Sequence, residues 1–105
     1  MYQLVFYVPK EHCEQVKDAV FAAGAGRFAG YAACAWQTEG MGQFKPLEGS
    51  SPFVGRVGEI ERVTEMRVEM ICDDESLPHA IEALLSTHPY EQPAYSYYAV
   101  NTNLG

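Results

Sequence analysis

The run His88-Pro89-Tyr90-Glu91-Gln92-Pro93-Ala94-Tyr95 gathers an imidazole, two phenols and a carboxylate into eight consecutive residues. Pro89 and Pro93 lock their own φ at roughly −65°, so the connection they punctuate is stiff. A stiff connection holds His88, Tyr90 and Glu91 in set relative positions. Such a trio suits a polar small molecule, a divalent cation or a neighbouring subunit. Alternatively, the same groups cap backbone atoms of a rigid turn. As metal ligands, His88 and Glu91 are weak candidates, with Cys34 and Cys72 the further donors. No pair among His12, His79, His88 and the cysteines stands at a close ligand spacing. The expectation is therefore no cofactor, with a divalent metal as the case to test.

A second region carries binding chemistry. Glu39 to Glu61 holds Gly40, Gly42, Gly49, Gly55, Gly58, Pro46 and Pro52, a turn signal every few residues. Long loops in compact domains are often functional. Trp36, Gln43, Phe44, Lys45 and Arg56 put aromatic, amide and basic groups in and beside this excursion, and Trp36, Gln43, Lys45 and Arg56 join His88, Tyr90 and Glu91 as candidate ligand contacts. The structural alternative is an extra hairpin, with short strands at Gln43–Lys45 and Phe53–Val57, clamping a neighbouring subunit. The apolar Phe53, Val54 and Val57 read as buried and favour the clamp.

Two apparent motifs carry little. The glycines of Gly24-Ala25-Gly26-Arg27-Phe28-Ala29-Gly30 follow a helix and precede a strand, the reverse of a dinucleotide fingerprint. Ser50 and Ser51 lack a nucleophile-elbow context, and no carboxylates are paired suggestively. No catalytic residue is assigned.

Composition narrows the classes further. The 105 residues carry seven Lys and Arg against fourteen Asp and Glu, a net charge of −7. The seven basic residues are scattered, so a phosphate backbone meets a repulsive surface and nucleic-acid binding is disfavoured. No apolar run approaches the roughly 20 residues that span a bilayer. The N-terminal stretch lacks a basic start and reads as a strand rather than a signal peptide. Three cysteines without CxxC spacing argue against a disulfide framework, and the cytoplasm is the expected compartment.

The elements that must position these residues follow from periodicity. Tyr2 to Val8 reads as a strand with Leu4, Phe6 and Val8 on one face and Val5 and Tyr7 on the other. Glu11 to Ala23 reads as a helix, with Val16, Ala19, Val20 and Ala23 as its apolar stripe and Gly24 and Gly26 as its stop. Tyr31 to Thr38 is the expected second strand. Arg62 to Cys72 alternates, with Met66, Val68, Met70 and Cys72 on the buried face. Ser76 or Asp74 caps a second helix with Pro78 in its first turn and Leu77, Ile81, Leu84 and Leu85 as its stripe. That helix ends before His88-Pro89. Ala94 to Val100 is the last strand. The order β-α-β-β-α-β predicts one α+β domain over 1–105, a ferredoxin-like sandwich with two helices on one sheet face. Val5, Tyr7 and alternate tyrosines of the last strand are then left on a face that no helix covers, which a second subunit can hide.

HPYE followed by proline before the last strand resembles the C-terminal end of CutA-like proteins, which share a trimeric ferredoxin-like fold with the PII signalling proteins. LVFYVP, AGAGR with the following Gly30-Tyr31, CAWQTEGMGQFKP, FVGRVGEIE and HPYEQPAY together resemble the small domain inserted in YqfO-type proteins of the Nif3-like family, and the expectation is that it stands alone here. The resemblance covers nearly the whole chain. It implies a CutA/PII-like homo-oligomer, a trimer, and a connection between strands two and three that binds ligands or partners. The metal-binding His and Glu residues of the larger family lie in a flanking domain, so none is carried over to these positions. Three readings follow: a non-catalytic ligand- or ion-sensing regulatory module; a structural or protein-interaction module; and, distantly, a metal-dependent hydrolase-related role through the Nif3-like family.

Overall fold

The structure is a computed structural model and describes residues 1–102. Strand β1 (Tyr2–Pro9) leads through a 3₁₀ turn (Lys10–His12) into helix α1 (Cys13–Ala22). Strands β2 (Trp36–Phe44) and β3 (Glu61–Cys72) follow, then helix α2 (Leu77–Thr87) and strand β4 (Tyr95–Ala99). The sheet order is β2-β3-β1-β4, and every neighbouring pair is antiparallel. This is the expected ferredoxin-like α+β arrangement. Among the described residues no helix is long and apolar enough to cross a membrane.

The core lies between the sheet and its two helices. Leu4, Phe6 and Val8 of β1 meet Met66, Val68, Met70 and Cys72 of β3, and the layer is closed by Val16 and Val20 of α1 and Leu77, Ala80 and Leu84 of α2. Cys13 joins this cluster and anchors the start of α1, which shortens the helix expected from Glu11. Leu85, expected in the α2 stripe, is 47% exposed. Ser76 occupies the cap position of α2, but its side chain makes no capping bond. Asp73 does that work: its Oδ1 accepts the Ser76 N–H at 3.0 Å.

The second strand starts five residues later than its sequence suggests. Ala29 and Ala33 have positive φ (45° and 56°) and Phe28 and Tyr31 exchange both backbone bonds in a tight turn, so Tyr31–Ala35 is a loop. Alanine is a poor strand former, and three alanines here offer no β-branched surface to oppose that turn. The strand continues instead through Gly40 and Gly42 to Phe44, beside β3 along its whole length.

That extension produces an arm. Pro9, the end of β1, pairs with Glu65, whereas Gly42, Gln43 and Phe44 pair with Val63, Arg62 and Glu61. The β2–β3 pair thus runs on beyond the sheet centre. The longest dimension, 46 Å, and the radius of gyration, 14.6 Å, reflect it, since compact domains of about 100 residues reach only about 13 Å. No extra hairpin forms at the tip. Gln43 and Phe44 belong to β2, and Gly55, at φ 95°, breaks the run Phe53–Val57 that was expected to be extended. Residues 45–60 form an irregular loop, turned at Gly49, Gly55 and Gly58. Phe53 and Val57, expected to be buried, are 57% and 49% exposed.

The helix-free face is also less bare than expected. Val5 is 2% exposed, and Tyr7 lies under the Arg67 guanidinium, whose Nη1 donates to its hydroxyl at 3.1 Å. The exposed large rings there are Trp36 and Tyr98.

Gly26 gives a test of the packing. Its φ is +76°, and an added Cβ would meet the Phe21 ring at 2.8 Å and the Cys34 carbonyl oxygen at 3.0 Å. Gly26→Ala should cost about 1–3 kcal/mol in urea unfolding. Gly30→Ala, with φ +88° and no atom within 4 Å, should cost less, because only backbone strain is added. Equal losses would refute the packing role.

Candidate functional site

Helix α2 ends because His88 precedes a proline: it leaves the helical region for φ −68°, ψ 137° while its N–H still bonds the Leu84 carbonyl. This swings the imidazole against the end of β1. Its Nε2 lies 2.7 Å from the Tyr7 carbonyl oxygen, and its Nδ1 accepts the Tyr90 N–H at 3.0 Å. Accepting at Nδ1 leaves the proton on Nε2, so the ring is neutral and donates to Tyr7. Burial holds its pKa below the ordinary imidazole value; the Tyr7 carbonyl opposes that shift and His12 adds to it.

Tyr90 is placed by this bond. Its ring lies 5.0 Å from that of His88, centroid to centroid, and its hydroxyl donates to Glu65 Oε2 at 3.0 Å. Burial, then the bond to Glu65 and the negative charges of Glu65, Glu11 and Glu61, drive the phenol's pKa far up, so it stays a donor. Phe44, from the end of β2, packs 5.8 Å from the Tyr90 ring, and Phe53, from the loop, 6.2 Å. Phe53 also meets His12 edge-on at 5.7 Å. The loop is latched to the turn by one further bond, from the Ser51 N–H to Glu91 Oε2 at 2.7 Å.

These contacts enclose a cavity of about 450 Å³ at the base of the arm, within the range of small-molecule sites. Its walls are mainly rings and prolines: Tyr7, Phe44, Phe53, Tyr90, Pro46 and Pro52. Glu65 and Glu91 are the only charged side chains among the residues that line it.

Of the candidates read from sequence, Gln43, Tyr90 and Glu91 line this cavity and His88 stands directly behind Tyr90. Three others lie elsewhere. Trp36 is at the far end of β2, seven residues or roughly 23 Å from Gln43, in a shallow groove with Phe28, Cys34 and Glu69. Lys45 follows Phe44 but is not a wall residue, and Arg56 faces Glu59 at 3.9 Å on the loop surface. Phe44, named with the excursion's aromatic groups, also lines the cavity, and the residues missed were Tyr7, Glu65 and Phe53. Glu65 was visible only as part of β3's polar face, and Phe53 only as an apolar residue that read as buried.

Among the described residues no three His, Cys, Asp or Glu side chains converge. Both His88 nitrogens face backbone partners. Cys72 sits in the core, where burial pushes its thiol up to about 11, and the Cys34 sulfur lies 3.8 Å from the Ala32 carbonyl oxygen.

No family model matches the chain. Proteins of Bacillus subtilis and Mycobacterium leprae, each described as a GTP cyclohydrolase 1 type 2 homolog, are 47% and 46% identical to it over 98 and 96 residues. The matches take in 93% and 91% of this chain but only 26% and 25% of those proteins. A Bacillus cereus protein related to NIF3 superposes with TM-score 0.83 and 37% identity, over 96% of this chain and 26% of its own. The PII-like protein CutA of Nostoc superposes at TM-score 0.70 over the whole chain and 86% of its own, with 18% identity. CutA1 of Pyrococcus horikoshii does so at 0.68 and 19%, over 97% and 85%. At those two identities the likeness speaks for the fold. The resemblance to the small domain of YqfO-type, Nif3-like proteins therefore stands, over about a quarter of their length, and the fold is CutA/PII-like.

His88 makes the site's integrity depend on pH. An unfolded chain takes up the imidazole proton near pH 6.5, and the folded chain only at lower pH. Acid then favours unfolding: the contribution is complete above about pH 6.5 and is lost as pH falls through the folded pKa. The urea midpoint should drop between about pH 7 and about pH 5, and less steeply in His88→Gln. Titration of His88 at or above 6.5 by NMR would contradict this.

Proposed function

We propose that this chain, related over nearly its whole length to a segment of Nif3-like proteins, is a non-catalytic ligand-binding module of a cytoplasmic CutA/PII-like homo-oligomer, a trimer. One observation carries the reading: two segments far apart in sequence, the loop at 45–60 and the turn at 88–95, close on each other around a cavity walled by oriented rings. A loop folded merely for compactness needs no such chamber. The CutA/PII-like fold supports assembly, with the helix-free sheet face as the contact. Trp36 and Tyr98 are the exposed rings that such a contact would cover. Free thiols at Cys13, Cys34 and Cys72, two of them buried, suit a reducing compartment.

A second reading, a protein-docking module, is favoured by Leu47, Phe53, Val57 and Ile60, apolar side chains 68%, 57%, 49% and 50% exposed on and beside one loop. Any hydrolytic role by association with Nif3-like proteins would belong to the three quarters of those proteins that this chain does not match.

Sedimentation and light scattering should return a trimer in the micromolar range, with the emission of Trp36, the single tryptophan, shifted to the blue. Trp36→Glu should dissociate it. A monomeric wild type would end the oligomer reading. Thermal shift against nucleotides, amines and divalent cations should find at least one stabilising ligand; at 100 times its Kd, binding is worth about 2.7 kcal/mol. A flat response throughout, with tight capture of a protein partner through Leu47 and Phe53, would favour docking.

A further inference from the structure

The cavity has a chemical bias that its position alone does not reveal, and the inference here rests on the ligand-binding reading above. We infer that it takes an organic cation: an ammonium, quaternary ammonium or guanidinium group on an apolar stem.

Three independent observations carry this. Tyr7, Phe44, Phe53 and Tyr90 present ring faces and edges to the same space, and aromatic faces attract cations, most strongly where water is excluded. The charged groups on the wall are both carboxylates, with no Lys, Arg or His among the lining residues. Each carboxylate is oriented by a described protein donor to one oxygen, Tyr90 Oη to Glu65 Oε2 and Ser51 N–H to Glu91 Oε2. Glu11 and Glu61 add negative charge near the Tyr90 hydroxyl. Of the basic residues close by, Arg67 lies over Tyr7 and faces Glu69, Arg56 faces Glu59, and Lys45 and Arg62 adjoin Phe44 and Gln43 without lining the cavity.

The third observation is Gly42. Glycine inside a strand weakens it unless something approaches closely. Here the Glu65 carboxylate lies where a Cβ on Gly42 would be. The missing side chain lets the carboxylate lie across β2 at the wall of the cavity instead of standing out into solvent. A nucleotide or phosphate would meet two carboxylates with no compensating base. An inorganic divalent cation would seek six or more oxygens, and the walls offer rings.

The test is calorimetry and NMR on the full chain with choline, 1,5-diaminopentane and agmatine as cations, 3,3-dimethylbutan-1-ol as choline's neutral isostere, and ATP as an anion. At least one cation should bind and shift Tyr90 and Phe53 ring signals, at least tenfold more tightly than the neutral alcohol. Glu65→Gln and Glu91→Gln should each weaken it about tenfold or more. Gly42→Ala should do the same while folding normally, because only the flexible end of Glu65 has to move. Glu59→Gln, outside the cavity, should change nothing. If ATP or the neutral alcohol binds there and the cations do not, the cation assignment falls and the ligand-binding module stands. If none of the probes binds and Tyr90 and Phe53 are already covered by a neighbouring subunit, both fall.

Discussion

The imidazole of His88 uses both nitrogens on main chain, one on the end of β1 and one on the turn that follows α2. This buried crosslink joins pieces that are eighty-one residues apart. It fixes where α2 stops, which way the turn leaves and where the Tyr90 ring points. A neutral ring can serve as donor and acceptor at once, and burial favours that neutral state. The same low-polarity setting that makes His88 a good structural clasp makes it a poor metal ligand. Its lone pair is already committed to the Tyr90 N–H.

From that clasp the site is assembled outward. Tyr90 reaches Glu65 on β3, Glu91 reaches Ser51 on the loop, and Phe44 and Phe53 close over the ring between them. No one of these contacts is strong in isolation. A hydrogen bond contributes about 1 kcal/mol net and an aromatic pair about as much. Their effect is geometric: the loop at 45–60, rich in glycine and without regular structure, is held at both its aromatic and its polar contact points. The resulting chamber is open enough to admit a ligand and walled mainly by rings and prolines.

The arm formed by β2 and β3 explains the location. Where β1 ends at Pro9, β3 loses its central neighbour, and the ladder continues with β2 alone. Two strands without a third are marginal, so the tip gains from folding its loop back onto the turn. The sheet's other asymmetry is its helix-free face. Arg67 over Tyr7 and a buried Val5 make part of that face self-sufficient, and Trp36 and Tyr98 remain exposed on it.

Local pattern was enough for the core. Alternation in Arg62–Cys72, the apolar spacing of Val16 and Val20, and the proline after His88 determined the β-α-β-β-α-β order, because each states its period within one segment. The stiffness of His88–Tyr95, and the pairing of that turn with the glycine-rich loop as a place to look, were legible for the same reason. The loop's conformation was not, since Gly55 at positive φ breaks a stretch whose apolar residues read as a strand. Nor was the start of β2, which is set by a turn through Ala29 and Ala33 that alanine does not announce. The cavity itself belonged wholly to tertiary structure. Glu65 on a polar strand face, Tyr7 on the second face of β1 and Phe53 in a loop have no sequence spacing in common. They meet because strand register and the His88 clasp bring them together. Sequence alone determined which elements form and where the chain is stiff; long-range register decided which side chains share a wall, because proximity across a sheet leaves no trace in local order.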